Sequence, residues 1–121
     1  MFRSFSAALI SGFLLVTWPL TSAAHAHLER AVPDKNSELS EPPHSIQLWF
    51  SGNVQAEWSK IEVADETGER VDKDKVTGKD DDEKYLQVEL NDLSAGTYHV
   101  KWSTLSRDGH RVKGEYSFSV R

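Results

Sequence analysis

The sequence predicts an all-β domain, an antiparallel Greek-key sandwich or small barrel, and three observations carry that prediction. Apolar residues recur with period two from His44 onward, and turn-forming residues interrupt the alternation at short intervals. No stretch holds an apolar stripe at 3.6-residue spacing over the length of a helix. Strands spaced about 8–12 residues apart are the pattern of sandwiches and barrels.

The first 26 residues stand apart from this pattern and read as an export signal. Arg3 supplies the positive charge, and Ala7-Ala8-Leu9-Ile10 and Phe13-Leu14-Leu15-Val16 form an apolar run. Ala24-His25-Ala26 then matches the small-x-small cleavage rule. As an uncleaved anchor the run is too short: Ser11 and Gly12 interrupt it and Pro19 ends it, where a span needs about 20 apolar residues. Cleavage after Ala26 makes His27 the first residue of a 95-residue mature chain, residues 27–121, the size of one small domain. Cleavage after Ala24 is the rival, with Ser22 and Ala24 as the small residues and His25 as the new start.

Within the mature chain Ile46, Leu48 and Phe50 alternate with Gln47 and Trp49, after the turn-forming Pro42-Pro43 and before Ser51-Gly52-Asn53. Trp58, Ile61 and Val63 form a less regular run in which a bulge is expected. Leu86, Val88 and Leu90 alternate with Gln87 and Glu89, and Tyr98, Val100 and Trp102 with His99 and Lys101. The last run is Tyr116, Phe118 and Val120 against Ser117 and Ser119. Thr67-Gly68 and Ala95-Gly96 mark further reversals. Leu93 to Tyr98 resembles the tyrosine corner of immunoglobulin-like sandwiches, whose hydroxyl bonds to backbone a few residues upstream. Val71 to Glu83 is crowded with Asp and Lys and reads as a solvated loop or an edge hairpin. Its Asp80-Asp81-Asp82 lacks the alternating ligands and turn glycine of a calcium loop.

Composition narrows the chemistry. The chain has no cysteine, and its one methionine, Met1, leaves with the signal. The mature domain must therefore be held by its core alone, and a metal must be bound through nitrogen and oxygen. The formal net charge is −5, and loss of Arg3 makes the mature domain one unit more negative. An acidic exported domain argues against nucleic acid and anionic lipid as partners.

Two clusters are suited to a metal. An amino-terminal His27 offers its α-amine and its imidazole Nδ1 as a bidentate chelate. Near the other end of the chain, Asp108 and His110 are two residues apart, so an extended segment projects both to one face, and Gly109 between them permits a turn. Neither cluster is specific alone; Asp-x-His is common in surface loops as a simple hydrogen-bonded pair. A β fold that joins them assembles an amine, two imidazoles and a carboxylate, a tetragonal set preferred by Cu(II). Zn(II) takes similar donors but favours thiolates and tetrahedral geometry in structural sites. One Cu(II) per chain is expected, with no Cu(I) site. His44, after a double proline, reads as an exposed turn residue, and His99 lies on the face opposite Tyr98, Val100 and Trp102.

His27-Leu28, Ile46-Gln47-Leu48-Trp49-Phe50-Ser51, Ala95 to Trp102 and above all Ser106 to Phe118 resemble the CopC family of periplasmic copper-binding proteins, in particular its short YobA-like members. The resemblance covers essentially the whole mature chain. It implies a cupredoxin-like Greek-key barrel binding Cu(II) through His27, Asp108 and His110, and a CopD-type inner-membrane protein as partner. Relatives with a second, Cu(I) site carry a methionine-rich segment that is missing here, so the likeness is to the Cu(II)-only type. Some relatives also have an acidic residue where Gly52 follows Ser51.

Three function classes follow. The first is a monomeric periplasmic protein that sequesters or carries Cu(II) and is not an enzyme. The second is a copper-dependent oxidative enzyme, since an N-terminal His chelate also serves lytic monooxygenases. Those are generally larger, and a carboxylate on copper disfavours the Cu(I) state that redox cycling needs. The third is a β-sandwich interaction module in which the histidines are incidental.

Overall fold

Eight strands account for most of the residues that the structure, a computed structural model, describes, namely 12–17 and 26–121. They are β1 (Leu28–Val32), β2 (Glu38–Leu39), β3 (Ser45–Phe50), β4 (Lys60–Ala64), β5 (Asp72–Lys79), β6 (Asp82–Leu90), β7 (Gly96–Leu105) and β8 (Arg111–Val120). Two four-stranded sheets form, in the orders β1-β3-β6-β5 and β2-β8-β7-β4. All neighbours are antiparallel except β2, which runs parallel to the end of β8. The all-β sandwich is thus the architecture observed.

Alternation decides what each strand buries. Ile46, Leu48 and Phe50 from β3 join Leu86, Val88 and Leu90 from β6 on the inner face of one sheet. Ile61 and Val63, Tyr98, Val100 and Trp102, and Tyr116, Phe118 and Val120 face them from the other. Phe50 and Trp102 meet edge to face across the layer, with ring centroids 5.2 Å apart. Trp102 is opposite Gly114 in the β7–β8 register, and its indole lies over that backbone. A Cβ at Gly114 would come within 2.5 Å of the ring, so only glycine fits. The tyrosine corner is present, with the Tyr98 hydroxyl donating to the Ser94 carbonyl at 2.6 Å.

Three features depart from the sequence reading. Trp58 is not part of a strand: it ends a single 3-10 turn, Ala56–Trp58, and is exposed. The irregular spacing before Ile61 marks this turn rather than a bulge. β1 and β2 lie upstream of the first alternating run; β1 buries only Ala31 fully, and β2 has two residues, so neither shows a period. The charged segment from Val71 is an edge hairpin, as one of the two expectations had it, yet Asp72 within it is buried. Its carboxylate accepts hydrogen bonds from the Val63 N–H (2.8 Å), the Asp74 N–H (3.0 Å) and Arg70 Nε and Nη2 (both 2.8 Å). Burial would raise the Asp72 pKa, but the Arg70 guanidinium and the Val63 N–H outweigh it and hold it below the usual value.

Of the expected leader, residues 1–11 and 18–25 lie outside the described residues. Residues 12–17 have no regular secondary structure, and Phe13, Leu14, Leu15 and Val16 are exposed. Ala26, by contrast, is buried, and it packs beside Gly52.

Candidate metal centre

The β7–β8 connection is a local construction. Leu105 and Arg111 are the last paired residues, and the five residues between them form a closed turn. Gly109 has φ +87°, a conformation that side chains disfavour, and its N–H donates to the Ser106 carbonyl at 3.0 Å. The Ser106 N–H in turn donates to the His110 carbonyl at 2.9 Å. Inside this frame Asp108 Oδ2 lies 2.9 Å from His110 Nδ1, and Asp108 Oδ1 accepts the His110 N–H at 3.2 Å. The buried Ser106 hydroxyl sits in reach of both Asp108 Oδ1 and the His110 carbonyl. The Ser106 hydroxyl first, and then the His110 ring, hold the Asp108 carboxyl well below the usual carboxylate range.

The other half depends on a distant strand. His27 immediately precedes β1, whose Leu28 pairs with Phe50 at the end of β3. Its carbonyl accepts the Ser51 N–H at 2.8 Å. Its backbone N–H donates to Ser51 Oγ at 2.9 Å, and its Nδ1 lies 2.9 Å from the same oxygen. The backbone nitrogen and Nδ1 of His27 therefore converge on one point. Cleavage after Ala26 would turn that nitrogen into the α-amine.

One short segment joins the halves. Ser51 holds His27, and three residues later Val54 forms a β-bridge with Ser106, the residue that holds Asp108 and His110. The Gln55 N–H also donates to the Leu105 carbonyl at 3.2 Å. The structure thus brings Asp108 and His110 together and anchors His27 three residues along the chain from the same hairpin. Among the described residues no three His, Asp or Glu side chains close around a single point. His99 points outward and bonds Ser117 Oγ through Nδ1 at 2.8 Å, and His44 is exposed, as their positions in the alternation imply. Ser51 and Ser106 are the site residues that pattern reading overlooked. The available signal was their placement: Ser51 follows the last alternating residue of β3, and Ser106 stands two residues before Asp108.

Known proteins share this arrangement of sequence and fold. The family model for the CopC domain matches residues 28–121. Protein YobA of Escherichia coli K12 is 37% identical over 99 residues, covering 81% of this chain and 80% of its own. The copper transport protein CutJ of Bacillus subtilis is 36% identical over 107 residues; these are 88% of this chain but only 20% of CutJ. The crystal structure of CopC from Methylosinus trichosporium OB3b superposes with a TM-score of 0.76 at 34% identity, over 79% of this chain and 93% of that one.

Proposed function

The chain belongs to the CopC family, and on that footing we propose that it is a periplasmic Cu(II)-binding protein, not an enzyme, that holds the ion through His27, Asp108 and His110. A copper-binding role is what the family and its copper-transport and copper-resistance relatives support. The observation that carries the finer reading is the convergence of His27 N and Nδ1, each 2.9 Å from Ser51 Oγ. Two nitrogens of one residue directed at one point are the geometry of a bidentate chelate. Signal cleavage after Ala26 supplies the free amine, and residues 27–121 are the mature domain.

Each donor has a distinct part. His27 supplies two nitrogens. His110 is bonded through Nδ1 to Asp108, so it reaches the ion through Nε2, with its ring orientation fixed by the carboxylate. Asp108 stays ionised and offsets the charge of the cation, directly as an oxygen ligand in this reading. With Met1 lost and no cysteine, the mature chain offers no soft ligand for Cu(I), which makes the domain a one-site Cu(II) carrier or sequestering protein.

CutJ, in which the matching region is one fifth of a copper transport protein, supports a partnership with a larger transport protein. A CopD-type membrane protein receiving copper from this monomeric domain is the form we give that partnership. Titration of the exported, processed protein with Cu(II), followed by electron paramagnetic resonance, tests the reading. One equivalent bound with nitrogen hyperfine structure is expected. The reading fails if copper binds only as Cu(I), or if an added residue before His27 leaves the spectrum unchanged.

A further inference from the structure

Ser51 Oγ stands where a metal held by His27 would have to go. The hydroxyl carries one hydrogen and two acceptor lone pairs. The His27 N–H donates to one lone pair, and Nδ1 at 2.9 Å either accepts the hydroxyl hydrogen or donates to the second lone pair, according to its tautomer; in both cases the hydroxyl occupies the side of Nδ1 that a metal would take. A metal–imidazole bond is about 2.0–2.1 Å, well short of the 2.9 Å separating each nitrogen from Oγ. An ion bonded to both nitrogens would lie between them and Oγ, too close for the hydroxyl to remain. Hydroxyl and metal are alternatives.

We propose that Ser51 is a displaceable latch on the copper site: its hydroxyl joins the two His27 nitrogens in the metal-free protein, swings away when Cu(II) binds, and returns as the ion leaves. The proposal rests on the reading of His27 as the chelating residue. The swing needs only one side-chain torsion, because the Ser51 N–H to His27 carbonyl bond of 2.8 Å belongs to the backbone and persists in both states. An interaction made only in the metal-free state lowers affinity and favours release. That suits a protein whose cargo must be handed on.

The test uses exported, processed protein and its Ser51→Ala and Ser51→Thr variants, with Cu(II) competition against a chelator of known affinity and stopped-flow release to it. Among the described residues Ser51 Oγ bonds only to His27, so alanine leaves the core untouched. Ser51→Ala is expected to bind Cu(II) about three- to tenfold more tightly, the range of one net hydrogen bond, and to release it more slowly. Its paramagnetic spectrum should match wild type, since the donors are the same. Ser51→Thr, which keeps the hydroxyl, should behave as wild type. Unchanged or weaker affinity in Ser51→Ala, beside a wild type whose binding depends on the His27 amine, overturns the latch alone. Wild-type binding indifferent to a residue added before His27 overturns both the latch and the chelate.

Discussion

The two halves of the candidate site are built in opposite ways. The hairpin half is five consecutive residues, Ser106 to His110, closed by hydrogen bonds among themselves. The His27 half exists only because β1 pairs with β3, which puts His27 beside a serine 24 residues away. A local turn forms wherever its sequence goes. A long-range pair requires the whole sheet, and in the function proposed above it also requires a proteolytic cut to expose the amine. In that reading the hairpin supplies donors preset by its own hydrogen bonds, and the amino terminus supplies a part made only after cleavage.

The sharpest way to break this comparison is to add one residue before His27. The amine becomes an amide, and the chelate loses a donor while every buried side chain remains. Cu(II) affinity is expected to fall on the order of 100-fold, about 2.7 kcal/mol, in competition titrations. His110→Ala should lose a similar amount by removing the other imidazole. If the extended protein keeps wild-type affinity, the His27 half is not a ligand and the hairpin or another group carries the metal.

Acid separates the same halves by charge. Asp108 is held well below the usual carboxylate range, so it stays ionised while free imidazoles and amines gain protons, near pH 6.5 and 8 in unperturbed peptides. Copper affinity should therefore fall with pH as protons compete with the ion for the nitrogen donors, with the carboxylate still charged. Asp108→Asn should lower affinity at every pH, so that at a fixed copper concentration the ion is lost at a higher pH than in wild type. Unchanged affinity and an unchanged pH of loss in Asp108→Asn would show that the carboxylate takes no part in holding the ion.

Serine support gives the next smaller effect. Ser106 is buried and holds both Asp108 and the His110 carbonyl, so Ser106→Ala should free the carboxylate to reorient. An outer-shell loss of this kind costs about tenfold in metal affinity, measured by the same competition. The serine of the other half is expected to act with the opposite sign, because its hydroxyl bonds only to atoms the metal would claim.

What the sequence made legible follows the same division between local and distant. The alternating strands from Ile46 onward and the Asp108-Gly109-His110 turn depend on neighbours one to four residues away, and both were readable. The tyrosine corner at Tyr98 was readable for the same reason: its partner is four residues upstream. β1 and β2 were not, because β1 fully buries one residue and β2 is two residues docked on β8. Ser51 looked like the start of a turn, and only strand pairing reveals what faces it. Asp72 looked like one more charge in a solvated segment. Its burial depends on Val63, a residue of the opposite sheet.

That last pair allows the fold to be stressed with the least effect on the site. Asp72 receives the Val63 N–H from β4 while sitting on β5, so it ties one sheet to the other far from His27 and His110. Asp72→Asn keeps the size but loses the charge that Arg70 faces through two bonds of 2.8 Å. Removing a buried, multiply bonded carboxylate is expected to cost about 2–4 kcal/mol in denaturant unfolding. Because the folded pKa of Asp72 is depressed, its contribution is fully present above the unfolded value of about 3.9 and fades as pH falls through the lower folded value. Wild type should thus lose stability below about pH 4, and Asp72→Asn should lose less over that window, having no such charge to neutralise. Cu(II) affinity near pH 7 should be unchanged in the folded variant. A copper affinity that drops along with stability would show that the two sheets must be locked together to align the halves of the site.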